Sequence, residues 1–103
     1  QRTPPYGAVK AALNQYTMTQ ALDLAPRGIR VNAIAPGSIY FEGGVWGKAE
    51  TDNPALYQSI LKSIPGGRYG RPEEVAAVAV FLASDPGCWV TGQTIAVDGG
   101  QML

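Results

Sequence analysis

The chain has 103 residues and eight basic and eight acidic side chains, so no basic surplus indicates a nucleic-acid or membrane-surface partner. Hydrophobic residues make up 46% and charged residues 16% of the chain, which is typical of one small globular domain, and no apolar stretch approaches the roughly 20 residues that span a bilayer. Because histidine is absent and Cys88 is the single cysteine, the sequence predicts no Ser-His-Asp mechanism, no disulfide framework and no metal site.

The first predicted element is a helix from Tyr6 to about Ala25. Large side chains recur on one face at a spacing of three or four residues, and several alanines favour the helical conformation. The following Pro26-Arg27-Gly28 predicts where the helix ends. Small residues beside the aromatic ones would let another helix approach closely, so this face is also a candidate oligomer interface.

Tyr6 and Lys10 lie four residues apart on this helix and so project from the same face. A free phenol has a pKa of about 10, and a nearby cation lowers that pKa, which makes tyrosine a usable general acid or base. The alternative is a lysine stem packed across an aromatic ring on a solvated helix. The pair alone does not decide between the two.

A short strand, predicted at residues 29–35, is rich in β-branched side chains and ends at Pro36-Gly37. Residues 38–53 are predicted to be irregular, because glycines alternate there with large apolar side chains that include Phe41, Val45 and Trp46. Such a loop could close over a ligand, or its aromatic residues could merely anchor a long connection.

Two helices and a strand complete the predicted elements. Asn53-Pro54 is a helix start, and the apolar stripe that follows it ends at Pro65-Gly66-Gly67. The segment at residues 71–74, Arg-Pro-Glu-Glu, opens the next helix, which Asp85-Pro86-Gly87 ends. A final strand is predicted at Thr94–Val97.

Four segments in a specific order resemble the short-chain dehydrogenase/reductase family. They are Tyr6 to Lys10, the RVNAIAPG run at 30–37, the GRPEEVA run at 70–76, and VTGQ at 90–93 with VDGG at 97–100. The resemblance covers nearly the whole chain from Tyr6 onward. It implies an α/β fold, the C-terminal portion of a doubly wound Rossmann-like parallel sheet. Residues 1–103 would be the C-terminal part of a single Rossmann-like domain, with the catalytic helix, the last two strands and the substrate-binding loop. The N-terminal dinucleotide-binding half would be absent.

The resemblance further implies an NAD(P)-dependent oxidoreductase that interconverts a carbonyl and an alcohol by hydride transfer. Tyr6 would be the general acid or base, and Lys10 would lower its pKa and bind the nicotinamide ribose. The implied residues that contact NAD or NADP are Tyr6, Lys10, Pro36, Gly37, Ser38 and Ile39. Asn32 is interpreted as structural, with its amide satisfying backbone groups.

The variable substrate-binding segment of the family corresponds to the loop after Ile39, so Phe41, Val45 and Trp46 are the implied wall of the substrate site. One departure is that Phe41 stands where members of the family often carry a threonine whose hydroxyl reaches the cofactor. This hydroxyl contact could shift to Ser38. The substrate would be a small-molecule carbonyl or alcohol whose identity the sequence does not give. The sequence also does not indicate whether the cofactor is NAD or NADP.

The catalytic serine of the family lies about a dozen residues before the tyrosine, and no serine precedes Tyr6 here. These residues alone are therefore expected to be inactive. Two alternatives stay open: an epimerase or dehydratase that shares the Tyr-Lys pair, and a non-catalytic truncated fragment that only self-associates or docks to full-length subunits. The resemblance also implies a homo-oligomer, a dimer or tetramer, and a cytoplasmic location is the default expectation.

Overall fold

The computed structural model describes residues 4–103, apart from the side chains of Pro4 and Tyr6. Within these residues the elements are, in sequence order, α1 (Pro4–Leu24), β1 (Ala33–Pro36), α2 (Val45–Asp52), α3 (Pro54–Lys62), α4 (Pro72–Ala83) and β2 (Thr94–Val97). Short 3₁₀ turns occupy Ala25–Arg27 and Asp85–Gly87. The predicted first helix and last strand are thereby confirmed.

The strands β1 and β2 are hydrogen-bonded neighbours in a two-stranded sheet. The Ala33 N–H donates to the Gln93 carbonyl at 2.8 Å, and the Gly37 N–H donates to the Val97 carbonyl at 3.0 Å. Both strands advance by four residues between these bonds, so the pair is parallel. Parallel neighbours need a crossover connection, and helices α2 to α4 lie in it.

The first strand is shorter than the predicted residues 29–35. The Val31 N–H donates to the Thr91 hydroxyl at 3.1 Å, so a side chain and not a strand carbonyl accepts this backbone hydrogen bond. The Asn32 amide donates to the Val90 carbonyl and accepts the Gln93 N–H, both at 3.0 Å. Regular pairing therefore begins only at Ala33, and the structural role predicted for Asn32 is confirmed.

The protein forms two compact units. The first contains the residues up to Ala33 together with Phe81–Ile95, and the second contains Ile34–Val80 with Ala96–Leu103.

In the first unit Thr17, Ala21 and Leu82 are buried. The Thr17 hydroxyl donates to the Leu13 carbonyl one helical turn earlier at 2.9 Å, which satisfies the buried polar group. The face of α1 that the sequence indicates as a candidate oligomer interface is exposed: Val9, Leu13 and Tyr16 are 67%, 49% and 61% accessible in the described residues.

In the second unit Ala49, Ile64 and Tyr69 are buried. The helix α3 begins as predicted, because the Asn53 side chain accepts the Leu56 N–H at 3.3 Å. None of the helices in the described part of the protein is both long and apolar enough to cross a membrane.

Candidate functional site

Residues 6 and 10 both lie in α1, within the first unit, at the spacing that the sequence predicts. The Lys10 side chain is exposed. The side chain of Tyr6 lies outside the described part of the structure, so its approach to Lys10 stays a prediction. The remaining predicted site residues belong to the second unit.

Gly37 follows β1 and packs tightly against a neighbouring turn. An ideal Cβ built at Gly37 would lie 2.6 Å from Asp98 Cβ, 2.8 Å from Asp98 Cα and 2.8 Å from Gln101 Oε1. Carbon atoms in contact are normally about 3.5–4.0 Å apart. The absence of a side chain at this position is therefore required by the protein's own packing, a reason that sequence reasoning did not supply.

Ser38 is held by Gln101 through two hydrogen bonds. The Ser38 N–H donates to Gln101 Oε1 at 2.9 Å, and Gln101 Nε2 donates to Ser38 Oγ at 3.0 Å. One side chain thus fixes both the backbone and the hydroxyl after the turn. Nothing in the sequence indicated Gln101, because 63 residues separate it from Ser38.

Ile39 forms a parallel bridge with Gly70. The bridge uses the backbone groups on either side of Ile39: the Gly70 N–H donates to Ser38 O at 3.0 Å, and the Tyr40 N–H donates to Gly70 O at 2.9 Å. In such a bridge the N–H and C=O of the central residue point to the opposite side of its strand. No hydrogen bond between described residues uses these two groups of Ile39.

The segment predicted to be irregular at residues 38–53 contains the helix α2 (Val45–Asp52), so that prediction was wrong. Two of its glycines serve close packing: a Cβ on Gly44 would lie 2.6 Å from the Phe41 ring, and one on Gly47 would meet the Phe41 carbonyl. Phe41 and Val45 are 52% and 74% exposed. Their role as substrate wall stays a prediction.

Trp46 belongs to a cluster of four aromatic rings that sequence reasoning did not find. Its ring centroid lies 5.7 Å from that of Tyr69, which stacks on Tyr57 at 4.8 Å. Tyr40 makes an edge contact with Tyr57 at 6.3 Å and a tilted contact with Tyr69 at 6.4 Å. The buried Tyr69 hydroxyl donates to the Tyr57 carbonyl at 2.8 Å. Burial raises the pKa of Tyr69, so this phenol remains a proton donor.

An ion pair lies beside Ile39, where Arg68 and Glu74 line a cleft of about 250 Å³. Arg68 donates two hydrogen bonds to the Glu74 carboxylate, at 2.9 and 2.6 Å, and the Arg71 N–H adds a third at 2.9 Å. These bonds, the one from Arg68 first, lower the pKa of Glu74 to about 2. The carboxylate therefore caps α4 as an anion. Among the described residues, no group of three or more histidine, cysteine or carboxylate side chains could hold a metal ion.

Comparison with known proteins finds relatives of this sequence that are named dehydrogenases and reductases. Residues 1–102 match the family model described as Enoyl-(Acyl carrier protein) reductase. The chain is 48% identical over 101 residues to isoepoxydon dehydrogenase of Aspergillus clavatus, a match that covers 96% of this chain and 39% of that protein. It is 47% identical over 98 residues to glucose 1-dehydrogenase 2 of Bacillus subtilis, with 95% and 36% covered.

A solved hydroxysteroid dehydrogenase from Escherichia coli superimposes with a TM-score of 0.81 at 38% identity, over 92% of this chain and 38% of that one. This likeness confirms the predicted α/β fold, part of a doubly wound Rossmann-like parallel sheet. The chain spans 39% and 36% of the lengths of the two curated relatives.

Proposed function

The chain belongs to the short-chain dehydrogenase/reductase family, and we propose that the complete protein is an NAD(P)-dependent oxidoreductase that interconverts a carbonyl and an alcohol by hydride transfer. The observation that carries this proposal is the Tyr6–Lys10 spacing within one helix. The dehydrogenase names of the relatives support it. Those names differ in substrate, so we propose a small-molecule carbonyl or alcohol without choosing one.

The last residue of β1 and the three residues after it offer groups that suit a nicotinamide. Its carboxamide has one hydrogen-bond donor group and one acceptor, and the backbone carbonyl oxygen and N–H of Ile39 offer the complement. When bound, the nicotinamide supplies or accepts the hydride. Pro36, Gly37, Ser38 and Ile39 would hold it, and Lys10 would bind the adjacent ribose in NAD or NADP.

Tyr6 moves the proton in this proposal. Its hydroxyl donates to the carbonyl oxygen during reduction and takes the proton back during oxidation. The Lys10 ammonium favours the phenolate and so lowers the pKa of Tyr6. Proton transfer of this kind accelerates a reaction roughly a hundred- to ten-thousand-fold.

Absorbance of the reduced cofactor tests the proposal. The complete protein is mixed with NADH or NADPH and with a small diketone, a sugar lactone or a 3-oxoacyl thioester. We expect consumption of one cofactor with at least one carbonyl, its loss in Lys10→Met, and its retention in Lys62→Met, which removes an exposed lysine at the end of α3. Equal activity in the two variants would argue against the role of Lys10.

Residues 1–103 alone are proposed to be inactive, because the serine that orients the substrate in this family is expected before Tyr6. Consumption of NAD(P)H by the isolated residues would contradict this.

Exposed apolar side chains on α1 favour self-association as a second property. Val9, Leu13 and Tyr16 lie on one face of α1 and are between 49% and 67% accessible in the described residues. Such a stripe on one helix is typical of an interface between copies. We propose a dimer or tetramer in which α1 is buried, or the docking of a truncated form to full-length subunits. Light scattering tests this: a monodisperse monomer would contradict it.

A further inference from the structure

One side-chain hydrogen bond ties the start of the proposed substrate segment to its helix. The Tyr40 hydroxyl donates to Glu50 Oε1 at 2.6 Å. Tyr40 directly follows Ile39, and Glu50 lies in α2. The bond therefore joins two residues ten positions apart and closes a loop that contains Phe41 and Val45.

Glu50 and Trp46 lie on the same face of α2, because four residues separate them. Trp46 contacts the Tyr69 ring, and Tyr69 in turn contacts the ring of Tyr40. This face of α2 thus has an apolar attachment at its first turn and a polar one at its last. Both attachments reach the same aromatic cluster of Tyr40, Trp46, Tyr57 and Tyr69.

The polar attachment has the chemistry of a stable contact. A phenol that donates to a carboxylate makes a short, charge-assisted hydrogen bond. The pKa of Tyr40 is raised, chiefly by this bond to Glu50, so the hydroxyl keeps its proton at neutral pH. Because Glu50 is exposed, water competes for its carboxylate, and the hydrogen bond makes only a moderate contribution to the stability of α2.

We propose that Tyr40 and Glu50 form a latch that fixes α2 against the aromatic cluster, and that both are positioning residues for the substrate. This rests on the proposed function, since it takes the exposed Phe41 and Val45 as the substrate wall. Neither latch residue acts on the reacting atoms. Loss of the latch lets α2 move, so it weakens substrate binding while the bound substrate reacts at an unchanged rate.

Hydrogen exchange with mass spectrometry tests the latch in the complete protein without relying on activity. We expect amides of α2 to exchange roughly three- to tenfold faster in Tyr40→Phe and in Glu50→Ala, as suits the loss of one hydrogen bond. Glu50→Gln keeps an acceptor and should restore most of the protection. Glu42→Ala is the matched control, because Glu42 is an exposed carboxylate of the same segment without a hydrogen bond in the described structure.

Steady-state kinetics then test positioning, with the carbonyl found in the cofactor assay above. We expect KM to rise roughly three- to tenfold in Tyr40→Phe and Glu50→Ala with kcat unchanged, and the double variant to be no worse than the more severe single variant. Exchange equal to that of Glu42→Ala overturns the latch, and a fall in kcat at constant KM overturns the positioning role. A protein that consumes no cofactor refutes the proposed function instead, and the exchange result still decides the latch.

Discussion

Gly37→Ala is expected to destabilise the protein, because the site already lacks room for a methyl group. The new Cβ would lie 2.6 Å from Asp98 Cβ and 2.8 Å from Asp98 Cα, about 1 Å closer than carbon atoms normally pack. Asp98 cannot retreat easily, since its carboxylate accepts the Gly100 N–H at 3.0 Å and the Met102 N–H at 3.1 Å. Relieving the overlap must therefore move a whole turn, which typically costs about 1–3 kcal/mol.

Urea unfolding followed by circular dichroism measures this loss in the free energy of unfolding. Gly7→Ala is the control: Gly7 lies in α1, where a Cβ meets no described atom within 4 Å. Alanine is the better helix former, so this variant should be unchanged or more stable by up to about 1 kcal/mol. A Gly37→Ala protein within about 0.5 kcal/mol of the native one would refute the packing argument.

Three further changes test individual interactions. The pKa of Glu74 is lowered to about 2, first by the hydrogen bond from Arg68, so its contribution to stability is present above the ordinary pKa of 4.5 and is lost as the pH falls toward about 2. In Glu74→Gln this part of the acid dependence should vanish from urea midpoints taken across that range; an unchanged profile would contradict it. Tyr69→Phe removes only the hydroxyl that donates to Tyr57 and should cost about 1 kcal/mol in thermal unfolding, whereas a neutral effect would show that this bond contributes nothing. Asn32→Ala loses two hydrogen bonds to backbone groups and should cost about 2 kcal/mol in the same assay, more than the tyrosine variant.

The elements that could be predicted from the sequence are those with local signals. Asn53 caps α3 as its position before a proline indicates, and Gly28 ends the first helical segment with a φ of 72°. The β-branched run at Thr94–Val97 forms β2 without shift. These outcomes depend on residues that are close in sequence, which is why a pattern could indicate them.

The helix α2 was missed because its glycines were interpreted as loop residues. Gly44 and Gly47 are small since the ring and the carbonyl of Phe41 fill the space beside them. This is a tertiary requirement, and residue types alone do not distinguish it from flexibility. Residues 29–32 were likewise assigned to a strand. The Val31 N–H, however, donates to the Thr91 hydroxyl, and the Asn32 side chain bonds to the backbone of Val90 and Gln93, so regular strand pairing starts only at Ala33.

In the candidate site, too, local features could be predicted from the sequence and long-range contacts could not. The Tyr6–Lys10 spacing is local and was predicted, whereas Gln101 reaches Ser38 across 63 residues. The contact of Tyr40 with Tyr69 also joins segments far apart in sequence. Such partners have no periodicity of their own, so they can be identified only once the protein is folded.

Replacement of Tyr6 tests the central claim most directly. The complete protein, its Tyr6→Phe variant and a Tyr16→Phe control from the same helix are compared by the rate at which they consume NAD(P)H with a carbonyl substrate. The account predicts a loss of roughly a hundred- to ten-thousand-fold in Tyr6→Phe and native activity in Tyr16→Phe, which keeps the aromatic ring that the proposed interface between copies would bury. Native activity in Tyr6→Phe would contradict the proposed role of this tyrosine in proton transfer.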